Sequence, residues 1–220
     1  MALIGFENQA KADKYVAVRV IGYDGADYRN QYKAKKSGES KDEKFYPVIT
    51  LVIYFGKDDW NYGTNLHSCL DISPELLPFV SDYKVNFYSL KDMTEEQIEN
   101  FKSDFKVIAE FFHALSSGEN YHPTNQKLDH PEEVIDMIST FSGDDRFRDE
   151  YNSISKQIKE GGISMCEIYD KILQEGEAKG FLKALVSLVK KGMISLAQAA
   201  EQANMTIEEF ESKTGLQTQN

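Results

Sequence analysis

Apolar residues fall into two kinds of pattern along the chain. Residues 2–6, Ala-Leu-Ile-Gly-Phe, form a short apolar run ending at Glu7, Asn8 and Gln9, which predicts a buried strand that delivers polar side chains at its end. From residue 13 to about 36, the spacing of Tyr15, Val18, Ile21 or Gly22, Ala26 and Tyr32 predicts one amphipathic helix, weakened or kinked in its middle by Gly22 and Gly25. Residues 33–44 carry five lysines and no large apolar residue, so they read as an exposed connection, with its lysines as candidate phosphate contacts. Residues 45–55 are continuous, apolar and β-branched, closed by Gly56; such a run predicts burial on both faces and a central strand. After an irregular stretch over 57–78, residues 85–90 predict a further strand. Thr94 and Gln97 form a capping box, and Ile98, Phe101, Phe105, Ile108, Phe112 and Leu115 then predict one helix to about residue 116.

Beyond Gly118 the pattern becomes helical. Pro123 and Pro131 punctuate a connection, and helices are predicted over 132–141, 146–160 and 163–191, the last broken or bent near Gly176 and Gly180. Two short helices follow, capped by Ser195 and Thr206. Their cadence is that of a helix-turn-helix, but the second is acidic and would repel phosphates, which favours a packing or protein-contact module. The 220 residues therefore divide into an α/β domain over 1–118 and a helical region over 119–220.

Composition narrows the function. The net charge of −11 disfavours coating of nucleic acid, though not a small cleft with local basic residues. Cys69 and Cys166 lack any CxxC or His pattern, so neither a disulfide framework nor a zinc site is expected. His67, His113, His122 and His130 lack ligand spacing, and phosphate-binding and hydrolase motifs are missing. With neither a signal-peptide pattern nor an apolar run of about 18 residues, a cytoplasmic location without a membrane span is expected.

Candidate chemistry lies at the end of the first strand. Glu7 and Gln9, two apart on a strand, point to the same face, where one can hold a divalent cation and the other orient water or a phosphate. The text GFENQAKADKYVAVRVIGYDGADYRNQ, the strand text FYPVITLVIYFG, then Trp60, Leu66-His67 and VSDYKVN over 80–86, resembles the bacterial recombination-promoting nuclease and transposase family of the PD-(D/E)XK superfamily. The resemblance spans roughly residues 4–115. It implies a nuclease-like (restriction-endonuclease-like) sheet flanked by helices, Mg²⁺-dependent DNA endonuclease activity, and DNA as partner. Glu7 would be the metal-binding carboxylate, and Gln9 would stand where the superfamily has lysine. Arg19, Tyr23 and Tyr28 match an arginine and tyrosines on the following helix; with Lys11 they would support DNA, or else serve helix packing and a surface ion pair.

The departures matter as much. The family places a metal-binding aspartate upstream of the Glu-x-Gln strand, and six residues before Glu7 leave no room for it; Val16-Ala17 stands where a Met-Pro pair is usual. A displaced start, a degenerate remnant or a protein kept for binding would each explain this. Cleavage by the chain itself is therefore expected to be weak or nil. The sheet should be incomplete at its N-terminal side and expose an edge along residues 3–6, favouring self-association into a homo-oligomer. The rival reading is an inactive binding or assembly protein working through its helical C-terminal region.

Overall fold

The apolar run around residue 50 forms the middle strand of a small parallel sheet. The structure, a computed structural model, describes residues 1–118, 121–156 and 162–216. Strand β1 (Leu3–Gln9), helix α1 (Val16–Ser37) and strand β2 (Val48–Tyr54) make a βαβ unit, and β3 (Asn86–Ser89) adds to the other side of β2. The register runs from Leu3 opposite Val48 to Gln9 opposite Tyr54, and from Leu51 opposite Asn86 to Tyr54 opposite Ser89. The α/β class is as the pattern predicted, and β2 is buried on both faces: Val52 lies under Val16 and Val20 of α1, and Ile53 joins the opposite core.

Several details differ from the sequence reading. Strand β1 runs on through Glu7 and Asn8 to Gln9 because the ladder with β2 continues to Tyr54. Helix α1 is unbroken at Gly22 and Gly25, and it buries Val16, Ala17, Val20 and Asp24 rather than the stripe through Tyr15, Val18 and Ile21, which is exposed. The sheet captures the face one residue away, where Val16 and Val20 pack on Val52. Three lysines assigned to the connection, Lys33, Lys35 and Lys36, belong to α1, which ends at Gly38 in the left-handed conformation (φ 78°) that glycine adopts without strain. Gly56, just past β2, is glycine for a different reason: a Cβ there would run into the Tyr54 ring and hydroxyl.

The single helix predicted for 94–116 is two: α2 (Glu95–Glu99), with the Thr94–Gln97 capping box in place, and α3 (Phe105–Ser117). Asp104, buried at the break, accepts the His130 backbone N–H at 2.7 Å, a bond that ties the break to the start of α4 (Pro131–Ser142). Helix α5 covers Arg146–Ser155; positions 157–160 of its predicted span lie outside the described residues. Helix α6 (Met165–Lys190) passes through Gly176 and Gly180 without a break, and α7 (Leu196–Gln202) and α8 (Ile207–Thr214) carry capping boxes on Ser195 and Thr206.

One buried cluster runs from Ile53 and Phe55 through α3 and α4 to Ile172 of α6, so packing crosses residue 118. Phe55 stacks on Phe141 at 4.3 Å and meets Phe112 edge-on at 5.1 Å. A second cluster joins Leu185 to Ala199, Ala200 and Phe210 of the last two helices. Between them, residues 173–181 of α6 are exposed on all sides. A Cβ at Gly176 or Gly180 would meet nothing within 4 Å. Gly176→Ala and Gly180→Ala should each strengthen this bridge by up to about 1 kcal/mol, read as slower amide exchange over residues 173–181; unchanged exchange in both would refute this.

The start of α6 also sets an acid response. Glu167 accepts from the Ser164 backbone N–H at 2.7 Å and pairs with Lys127 at 2.8 Å. The Lys127 ammonium first, then the Ser164 N–H, pull its carboxyl down to about 2. Because the folded group titrates below its ordinary value of 4.5, its contribution is present above pH 4.5 and is lost as pH falls toward 2. Glu167→Gln should flatten stability against pH across that window, measured by urea midpoints at low salt.

Candidate active site at the end of β1

Strand alternation turns Leu3, Gly5, Glu7 and Gln9 toward α1, and Ile4, Phe6 and Asn8 to the opposite face. The space for a Cβ on Gly5 ends 3.1 Å from the Thr50 hydroxyl, and Glu7 and Gln9 lie together where β1 ends and the chain turns into α1. Gln9, buried, donates from Nε2 to Glu7 Oε1 at 2.6 Å. Arg19, a turn into α1, ion-pairs with the same Glu7 oxygen through one guanidinium nitrogen and with Asp13 Oδ2 through the other, the latter at 3.0 Å. Asp13 also accepts the Tyr15 backbone N–H at 2.9 Å; that bond first, with Arg19 adding, holds its carboxyl below the usual range. Tyr23, then Asp13 and Glu7, push the Arg19 guanidinium further up. The cluster is thus a pair of carboxylates bridged by one permanently charged guanidinium, with an amide beside them.

Glu7, Gln9, Arg19 and Tyr23 are therefore brought together. Tyr28 stands at the far end of the sheet, where its hydroxyl accepts the Val48 N–H at 3.0 Å, and Lys11 is exposed in the segment after β1. Among the lysines offered as phosphate contacts, Lys35 lies over the Phe45 ring and donates to the Asp42 carbonyl, and Lys36 lies over Tyr32.

Two groups escaped the sequence reading. Asp13 is one. The other is Asp24, buried at 4% exposure, which takes the Thr50 hydroxyl at 2.5 Å on one oxygen and the Tyr83 hydroxyl on the other. Burial and then Asp24 drive the Tyr83 phenol upward. The signal was there: Val16, Val20 and Asp24 recur at four-residue steps, which places Asp24 on the buried face. The residues around His67 and Asp82 form a brace beside this network. Asp82 accepts from Asn65 at 2.7 Å and the His67 backbone at 3.0 Å, and the His67 ring meets the Val80 carbonyl at 2.8 Å. Cys69 Sγ donates to the Lys14 carbonyl at 3.1 Å, tying the brace to the entry of α1.

The donor set does not fit a Mg²⁺ site as it stands. Mg²⁺ takes six oxygens in octahedral order, with one or two carboxylates from the protein. Here Glu7 Oε1 already receives both Arg19 and Gln9, and Asp13 is turned to Arg19 and the Tyr15 N–H. Among the described residues no group of three or more His, Cys, Asp or Glu could hold a metal ion. No helix among them is long and apolar enough to cross a membrane.

No curated protein and no solved structure matches the chain. Residues 3–137, well over half of the 220, match the model of a family described as "Putative transposase, YhgA-like" and take in the whole sheet, α1 and the Glu7 cluster. The chain belongs to this YhgA-like transposase family.

Proposed function

We propose that the chain engages DNA, and that Glu7, Gln9 and Arg19 are the counterpart of the metal-dependent phosphodiester-cleaving centre of PD-(D/E)XK nucleases, with cleavage by this chain weak or nil because the set as it stands does not fit Mg²⁺. In this reading residues 1–118 carry the nuclease-like part and 119–220 a helical region. The observation that carries the proposal is the convergence of Glu7, Gln9 and Arg19 where a parallel strand passes into a helix. Membership of a transposase family supports DNA as the partner. Neutralisation of Glu7 by Arg19 supports the low activity: a carboxylate that already holds a guanidinium has less charge to offer a cation. With a net charge of −11, contact must be local, and Lys11 and Lys14, in the segment between Glu7 and Arg19, are the candidate contacts.

Supercoiled plasmid with Mg²⁺ or Mn²⁺, and fluorescence anisotropy with a labelled duplex, test both halves. Expected are nicking at background for both the wild-type chain and Glu7→Ala, and duplex binding that weakens with added salt and in the Lys11→Glu, Lys14→Glu double variant. Nicking that Glu7→Ala abolishes would overturn the weak-activity half. No binding at low salt would overturn the DNA half and leave the second reading, assembly through the C-terminal helices, which the separate cluster around Phe210 favours.

A further inference from the structure

Strand β1 is an edge strand, paired with β2 on one side. The Leu3 N–H bonds the Pro47 carbonyl and the Gln9 carbonyl receives the Phe55 N–H, so the odd-numbered residues turn their backbone groups toward β2. Alternation then turns the N–H and C=O groups of Ile4, Phe6 and Asn8 outward, where a further strand would bond them.

The side chains beside this edge differ between its faces: Ile4, Phe6 and Asn8 on one, and Leu3, Gly5, Glu7 and Gln9 on the other. Ile4 is 60% and Phe6 64% exposed. Phe6 lines a groove of about 610 Å³ on the face away from α1, together with Leu51, Tyr88, Met93 and Phe101. On the α1 face the same edge presents Gly5 and the Glu7–Arg19 pair. An occupant must therefore be extended, apolar at alternate positions on the groove side, and small or polar on the other.

We infer that this edge takes β1 of a second copy in antiparallel pairing, joining two three-stranded sheets into one of six strands. Strand β1 offers Ile4 and Phe6 on one face and Gly5, Glu7 and Gln9 on the other, with Leu3 at its start falling opposite Glu7 of the second copy. A two-fold axis normal to the sheet keeps groove face beside groove face. With Ile4 opposite Phe6 of the second copy, both residues exchange backbone bonds across the dyad, and the apolar side chains form cross-strand pairs. Gly5 then faces Gly5, and the two Glu7 carboxylates stand on opposite sides of the axis about four residues, roughly 13 Å, apart along the strands, so they do not repel at contact. A seven-residue edge is short of the roughly 1,200 Å² that stable complexes bury, so association is expected in the micromolar range.

Sedimentation velocity of the full chain over about 1–200 µM tests this. The wild-type chain should pass from its 25.1 kDa monomer to a species of twice that mass. Phe6→Lys and Ile4→Lys, which place a charge on the groove side of the edge, should each weaken dimerisation at least tenfold, whereas Phe6→Leu should keep it; circular dichroism and thermal midpoints confirm that each variant is folded. A wild-type chain that stays monomeric throughout overturns the inference, and so does a dimer that persists unchanged in folded Phe6→Lys, which would place the contact elsewhere, as on the C-terminal helices.

Discussion

Phe112→Ala is expected to cost about 3–5 kcal/mol of unfolding free energy, the range for emptying a fully buried aromatic site. Phe112 is 1% exposed on α3 and meets Phe55 and Phe111 edge-on, at 5.1 and 5.2 Å. Phe55 in turn stacks on Phe141, so the void opens where the end of β2 joins α3 and α4. The chain's one tryptophan, Trp60, packs on the other side of the sheet with Val16, Val20 and Phe87. Because Ile53 and Val52 are neighbours on opposite faces of one strand, damage in the helical core should reach Trp60. Urea midpoints from tryptophan fluorescence and from helical circular dichroism should fall together. A fluorescence midpoint that stays put while the helical signal shifts would show that sheet and helices melt separately, and the predicted coupling would fail. Phe112→Leu, which refills much of the volume, should recover about half of the loss.

How much of this was legible in the sequence follows from what each signal measures. The central strand in 45–55 was legible because a run dominated by apolar and β-branched residues favours burial on both faces, although the strand itself covers only Val48–Tyr54 and leaves Phe45 and Ile49 exposed. The capping box at Thr94 and the caps at Ser195 and Thr206 were legible because they are local: side chain and backbone partner lie three residues apart. Register on a helix is less secure. Two apolar stripes compete on α1, and only the sheet, a tertiary partner, decides that Val16 and Val20 go inward while Val18 and Ile21 face out. The division of 94–116 into α2 and α3 depends in the same way on a distant partner, since Asp104 ties the break to His130, 26 residues on.

At the site, period two on β1 sufficed to pair Glu7 with Gln9, and their 2.6 Å bond agrees with that. Arg19 was singled out by resemblance, but its partners were not legible: a guanidinium twelve residues from Glu7 reaches it only because the βαβ crossover lays α1 back over β1. Tyr28 matched the same motif yet stands at the opposite end of the sheet, which its nine-residue distance from Arg19 along a helix, some 13 Å, already required.

The buried carboxylate that the pattern passed over should matter nearly as much to stability as the aromatic core. Asp24→Ala is expected to cost about 2–4 kcal/mol, since hydrogen bonds to a buried charge are strong and both donors would lose their acceptor. Those donors come from different parts of the fold: Thr50 lies on β2, and Tyr83 lies in the segment that bonds back to residues 64–67. Asp24→Asn keeps one acceptor oxygen and should cost less. The network also predicts an alkaline response. Because the folded Tyr83 phenol titrates above its ordinary value of 10, its contribution is present below pH 10 and declines as pH rises beyond it. Tyr83→Phe should remove that part of the decline. The sharper test is the double-mutant cycle. If carboxylate and phenol stabilise the fold by satisfying each other, removing both leaves fewer orphaned groups than the single losses imply, and Asp24→Ala with Tyr83→Phe should cost at least about 1 kcal/mol less than the sum of the singles. Additive costs would mean that Asp24 acts through Thr50 alone, and that the brace around residues 64–85 is held to α1 by packing and not by this carboxylate.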